Sequence, residues 1–215
     1  MIRRRRAMRK RKVSAGAVRR KFIGKKKGIK QPVQFFKRSV YTPNMYSAST
    51  LTDAPFAQVF RLNDLPGVSD FTALYDQYQI KAVKVTLMPK YDTATQVVSS
   101  GTVPNSAHAM NRVISCIDYD DNTALTSIGD ALQYQNHKMT KGIRDHSRYL
   151  KPRCLLEAYG GIGLTHYMPR KNQWIDVANI TTPHYGLKWI ITQSPGIALS
   201  YDMKVDYYIA CKNVR

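Results

Sequence analysis

The stretch SYDMKVDYYIACKN, Ser200 to Asn213, decides the fold. Tyr201, Met203, Val205, Tyr207 and Ile209 point one way along an extended chain, while Asp202, Lys204 and Asp206 point the other. Alternation with a period of two is the mark of a strand with one face buried and one face wet. The same texture recurs upstream. In 79–88, Val83, Val85 and Leu87 share a face opposite Lys84 and Thr86; in 184–193, Tyr185, Leu187, Trp189 and Ile191 fall together. Weaker segments at 33–42, 56–62, 110–118, 144–150 and 173–177 bring the expected strands, with 199–212 as the last, to eight. Pro, Gly, Asn and Asp separate them, as turns require. Helical periodicity is scarce. A short helix is expected at 69–77, capped by Ser69 or Asp70, and another at 127–134. Many short strands with long loops, at 90–109 and 159–172, predict an all-β antiparallel sandwich or barrel rather than a parallel sheet.

The strands begin where an unusual charge distribution ends. The chain has 215 residues, a hydrophobic fraction of 43% and a formal net charge of +20. Residues 1–38 hold 17 Lys or Arg and no Asp or Glu; the remainder holds 17 basic residues against 14 acidic ones, a balance of +3. A near-neutral domain, 33–215, therefore follows a polycationic arm, 1–32. The arm's clusters are Arg3, Arg4, Arg5 and Arg6; Arg9, Lys10, Arg11 and Lys12; Arg19, Arg20 and Lys21; and Lys25, Lys26 and Lys27. Like charges repel, apolar residues are few, and Gly16, Gly24 and Gly28 interrupt, so the arm is expected to be disordered when free. Such clusters neutralise phosphates and release counterions without reading base sequence, and Arg adds bidentate contact. The first three clusters, Arg3 to Lys12 and Arg19 to Lys21, also fit a nuclear import signal. An anionic polysaccharide or membrane surface is a further partner of the right charge, although no apolar run approaches the ~20 residues of a membrane span.

Catalytic patterns are missing. There is no H-x-H pair and no G-x-x-x-x-G-K-[ST] loop, and the GGIG run at 160–163 reads as a flexible turn. His108, His137, His146, His166 and His184 lack metal-ligand spacing, so no cofactor is expected. Asp118, Asp120 and Asp121 cluster in IDYDDN; they read as a solvated turn, with a divalent cation as the sharper possibility. Cys116, Cys154 and Cys211 include no C-x-x-C pair and read as buried thiols of a reducing compartment.

Five segments together resemble the capsid proteins of circoviruses: YDQYQIKAVKVTLMP from Tyr75, HSRYLKPR from His146, RKNQWIDV from Arg170, HYGLKW from His184 and SYDMKVDYYIACKN from Ser200. The resemblance implies an eight-stranded antiparallel viral jelly roll of two four-stranded sheets. It implies a small icosahedral shell of sixty copies, arms on circular single-stranded DNA, a virion with a nuclear stage in the host cell, host nuclear import receptors as partners, and attachment to the host cell. The loops at 90–109 and 159–172 depart from the familiar pattern. Counting the expected strands one to eight, one sheet should hold one, eight, three and six, and the other two, seven, four and five. Arg148 would bridge to a phosphate or a neighbouring subunit, or else be a surface arginine beside a buried Tyr149. A cellular nucleic-acid-binding protein with a basic extension is the competing class. It would ordinarily stay basic throughout, whereas this domain is nearly neutral.

Overall fold

The computed structural model describes residues 32–90, 111–159, 165–194 and 199–214. The fourteen arm residues named above, most of the 90–109 loop and the GGIG run lie outside them. Among the described residues of the unit Gln31–Arg215 there are eleven strands: β1 (Gln34–Ser47), β2 (Ala54–Phe60), β3 (Tyr75–Pro89), β4 (Arg112–Ile117), β5 (Lys138–Lys141), β6 (His146–Leu150), β7 (Cys154–Tyr159), β8 (Thr165–Arg170), β9 (Ile175–Asp176), β10 (His184–Ile191) and β11 (Ser200–Val214). Two short helices, α1 (Val68–Leu74) and α2 (Ile128–Gln133), sit between strands.

The larger sheet runs β1-β11-β3-β6, with β9 also on β3; the smaller runs β2-β10-β4-β5; β7 and β8 form a separate hairpin. Every pairing is antiparallel. This is an eight-stranded jelly roll, two four-stranded sheets face to face, with β7, β8 and β9 added.

All eight expected strands are present, and one sheet placement needs correcting. The strand at 144–150 belongs to the larger sheet, where β6 pairs with β3 from Val83↔Leu150 to Leu87↔His146. The edge of the smaller sheet is instead β5, which the alternation did not reveal. Its sequence, KMTK, offers no apolar run, which suits an edge strand: lysines there discourage pairing with other chains. The strand at 173–177 shrinks to β9, touching only the end of β3. The expected 159–172 loop is largely hairpin, because β8 pairs with β7 from Cys154↔Arg170 to Tyr159↔Thr165. Helix α1 is capped by Gly67, at φ 69°, rather than by Ser69 or Asp70. Helix α2 starts as expected, with Ser127 Oγ accepting from the Asp130 amide at 3.2 Å.

The core fills the space between the sheets. From β11 come Tyr201, Met203, Val205, Tyr207 and Ile209, all buried. Ile80, Val83, Val85 and Leu87 of β3 face the same core, as do Leu187, Trp189 and Ile191 of β10. Ile80 and Val83 differ by an odd number yet share a face. The register between β11 and β3 shifts here: Tyr208 pairs with Ala82 and Ile209 with Ile80, leaving Lys81 as the extra residue of a bulge. The smaller sheet is covered on its other face too. Ile114, Cys116 and Ile190 pack with Leu125 and Ala131 beneath α2, which explains why β10 is buried almost continuously. Gly186 sits at a bulge in β10 with φ +147°; a Cβ there would come within 2.8 Å of the Tyr119 ring and 2.9 Å of Leu150. The three cysteines are free and buried, as expected.

A buried polar link at His146 crosses the sandwich, beside those of Tyr46 with Gln58 and Lys138 with Ser147. His146 of β6 is 2% exposed; its Nδ1 lies 2.8 Å from Thr140 Oγ1 of β5, and its Nε2 lies 2.7 Å from Ser115 Oγ of β4. The imidazole thus ties the larger sheet to the smaller, with both ring nitrogens satisfied. Burial chiefly, then the charges of Lys138 and Arg148, push its pKa down to about 4. The unfolded chain takes up a proton below ~6.5 that the folded state refuses. Stability present at pH 7 should therefore drain away as pH falls from about 6.5 toward 4, by up to ~3 kcal/mol. Melting temperatures across that range check this. A His146→Gln variant should melt lower than the parent at neutral pH and show a shallower decline with acid.

Candidate nucleic-acid and assembly surfaces

Among the described residues the candidate phosphate contacts gather on the outer face of the larger sheet. The strand parity that buries Val83 and Val205 turns Lys84 and Lys204 outward, and Lys37, opposite Tyr208, joins them from β1. The β3 bulge presents Lys81 on this face, and Lys212 follows near the end of β11. Two carboxylates temper the charge. Asp206 accepts from Ser39 Oγ at 2.5 Å and has Lys204 at 3.6 Å and Lys37 at 3.8 Å. Asp202 accepts from Tyr41 Oη at 2.5 Å and the Asn44 amide at 2.8 Å, with Lys90 at 3.7 Å. The hydrogen bond from Tyr41 first, then that of Asn44, holds the Asp202 carboxyl below its ordinary range. Lys81 and Lys212 have no carboxylate within ion-pair distance among the described residues. Their ammonium groups lie 5.5 and 4.4 Å from the centroid of the Trp174 ring, as cation–π attraction favours.

The reading of Arg148 as a surface arginine beside a buried Tyr149 is corrected. Tyr149 is 57% exposed, and Arg148, opposite Val85, turns inward. Its Nη2 donates to the Asn136 carbonyl at 2.5 Å. Burial lowers its pKa. Arg144 is exposed in the turn between β5 and β6, away from the lysines of the larger sheet. Arg153 stacks over Tyr119 at 3.9 Å.

In the cluster of Asp118, Asp120 and Asp121, Asp120 and Asp121 are exposed, as a solvated turn requires, while Asp118 is mostly buried. The cluster binds a cation supplied by the chain itself. Lys188 of β10 donates to Asp118 at 2.8 Å and to Asp121 in a still shorter contact. Tyr134 Oη donates to Asp118 at 2.9 Å. Burial by itself would raise the Asp118 carboxyl, but the Lys188 and Tyr134 hydrogen bonds hold it below the ordinary range. Burial likewise works against the Lys188 ammonium, yet the two carboxylates push its pKa up to about 12. No group of three or more metal-ligating side chains occurs among the described residues, and none of their helices is long and apolar enough to cross a membrane.

Several large apolar side chains face solvent on other surfaces: Leu51 at 82%, and Tyr167 and Met168 on the β7–β8 hairpin. Apolar groups grouped on a protruding hairpin mark a contact surface more readily than scattered ones do.

Two sheets joined in this order define the class, a viral jelly-roll shell subunit. The fold is shared with the protein described as the 60-mer BFDV capsid protein, at a TM-score of 0.64 and 15% identity over 85% of this chain and 95% of that one. The decameric BFDV capsid protein matches with a TM-score of 0.56 and 16% identity, over 85% and 100% of the two chains. Tobacco necrosis virus gives 0.50 and 12%, over 86% and 97%. A search of curated protein sequences finds no match. The family model described as Circovirus capsid protein matches residues 1–215. The chain belongs to the circovirus capsid protein family, and its role is structural, as a component of the virion.

The buried ion cluster gives a direct test of how the smaller sheet is held. Lys188→Ala strands the mostly buried Asp118 carboxylate beside the half-exposed Asp121 and should cost about 2 kcal/mol, below the ~3–5 kcal/mol of a fully buried pair. Adding Asp118→Asn and Asp121→Asn to that variant should recover a large part of the loss. Urea midpoints of the parent, the single and the triple variant measure both effects.

Proposed function

We propose that the chain assembles with further copies of itself into a closed icosahedral shell, of sixty subunits, and packages circular single-stranded DNA through its basic arm. The observation that carries this is the charge division: +17 in residues 1–38 against +3 in all the rest. A near-neutral domain meets like copies without strong repulsion, while the arm holds the cations that a phosphate backbone needs. Family membership across the whole chain supports this reading over a cellular nucleic-acid-binding protein with a basic extension. The description of the BFDV protein as a 60-mer supports the subunit number.

The arithmetic is consistent. As a flexible chain, the thirty-three residues ahead of β1 would have a root-mean-square span of roughly 30 Å, enough to reach from a shell into its cavity. Sixty arms bring roughly a thousand positive charges, about half those of a genome of about two thousand nucleotides at one per phosphate. In this reading Arg3 to Arg6, Arg9 to Lys12, Arg19 to Lys21 and Lys25 to Lys27 contact phosphates. The first three clusters also engage host nuclear import receptors, giving the protein a nuclear stage before the virion. An anionic cell-surface polysaccharide is a partner of the same charge logic during attachment.

Two experiments test this. Full-length protein and a variant with the arm's Lys and Arg replaced by Gln are compared by electron microscopy and by nuclease protection. Both should form uniform particles, and only the parent should retain protected single-stranded DNA. Its affinity should fall with salt at a log–log slope of roughly −0.7 per phosphate contact. Equal DNA retention by the two proteins would reject the arm's role, and monomers at every concentration would reject the shell. Separately, residues 1–30 fused to a reporter should drive it into the nucleus of a eukaryotic cell; unchanged cytoplasmic distribution would reject the import role.

A further inference from the structure

We propose that the cleft between Phe35 and Tyr208, on the outer face of the larger sheet, takes one unpaired base of single-stranded DNA. Lys37, Lys81 and Lys212 meet the phosphates on either side of it. This rests on the reading of the chain as a genome-packaging protein and adds to it a contact that depends on bases.

The cleft is built by strand register. Phe35 pairs with Ala210 and Lys37 with Tyr208, so the two rings stand on one face about a residue pair apart. Ala210 between them is fully buried and presents only a methyl group, which leaves a hollow of about 230 Å³ lined by Phe35, Phe36, Lys37, Lys81, Tyr208 and Ile209. That is below the ~300–1,000 Å³ of ordinary small-molecule pockets and suits a single flat ring. The Phe35 ring is 70% exposed, so a full aromatic face is open for stacking. Tyr208 is steadied by an edge contact with Tyr149, ring centroids 6.1 Å apart.

Charge complementarity selects the occupant. Lys37 lies 5.6 Å from the Tyr208 ring centroid, and its distant contact with Asp206 is shared with Ser39 and Lys204. Lys81 and Lys212 are gathered by Trp174 with no counter-ion among the described residues. An aromatic surface ringed by lysines is the arrangement that binds single strands: bases stack, and cations track the backbone. Double-stranded DNA keeps its bases stacked inside and offers this cleft nothing. Connectivity adds proximity. Phe35 follows Lys27, the last cationic cluster of the arm, by eight residues, at most ~26–29 Å of extended chain. One segment of DNA can therefore meet both.

The arm binds phosphates whether or not bases are attached, so the test removes the bases. Full-length protein is titrated with labelled oligothymidine, with an abasic phosphodiester chain of equal length and with duplex DNA, at salt high enough to weaken the arm's contacts. The parent should prefer oligothymidine to the abasic chain by roughly 10-fold, within the 5- to 150-fold that one stacked base supplies. Phe35→Ala should bring that ratio close to one with an unchanged salt slope, and Phe35→Trp should restore it. Lys81→Gln with Lys212→Gln should reduce the slope and keep the ratio. A parent without base preference, or a Phe35→Ala variant that keeps it, overturns the proposal. So does a Phe35→Ala variant that stops forming particles while its base preference persists, which would make the cleft a subunit contact. Failure of the arm reading looks different: the Gln-substituted arm would leave total affinity and salt slope as they were.

Discussion

The sandwich depends on one strand being accommodated on both of its edges at once. β11 lies between β1 and β3 and pairs with each over most of its length, from Gln34↔Cys211 to Ser47↔Ser200 on one side and from Val214↔Tyr75 to Tyr201↔Pro89 on the other. It is the only strand that β1 pairs with among the described residues. Its large inward side chains, Tyr201, Met203, Val205, Tyr207 and Ile209, are each worth about 1.5–3 kcal/mol of burial. The rest of the layout follows. Because β11 occupies the middle, β1 becomes an edge, and the first residues of the domain leave from that edge. Because β11 is in register with β3 on one side of a bulge and displaced on the other, Lys81 is expelled onto the outer face.

How much of this was legible in the sequence depends on what each segment buries. Strands with one wet and one dry face declared themselves through alternation, as 199–212 and 79–88 do. β10 was legible for a different reason, since Tyr185, Leu187, Trp189 and Ile191 stand out even though Ile190 and Lys188 are buried too. β5 and β8 were invisible: KMTK and THYMPR carry no apolar stripe, and they exist because a neighbour's backbone needs partners. The error with 144–150 has the same root. Without β5, the smaller sheet lacked a fourth member, and the nearest segment was assigned to it. Arg148 and Tyr149 stand opposite to what their chemistry suggests because strand parity decides their faces. His146, Arg148 and Leu150 share a face, and that face looks inward, so the charged residue is inside and the aromatic one outside.

Charge shows a similar division between what composition announces and what only geometry reveals. The arm's clusters are plain in any count of residues. The lysines of the outer face are not, because 17 basic residues against 14 acidic ones conceal the fact that Asp118 and Asp121 are committed to Lys188 inside the fold. Phe35, Trp174 and Tyr208 gave a signal that was present but unread. An aromatic residue in the solvent parity of a strand, two positions from a lysine, has no core to explain it. Trp174 drew notice as part of a family motif, while the structure shows it as a collector of two ammonium groups.

The placement of β11 also sets a timetable. A ribosome adds about 5–20 residues per second, so the last strand follows the first by roughly 8–35 s. Throughout that interval β1 has no partner strand to lie against. The larger sheet cannot close on a chain that stops before Ser200, because β1 pairs with no other strand among the described residues. A gap opened at the start of the domain is closed by a strand made long after it, so closure of the larger sheet is an event of late synthesis, not of early.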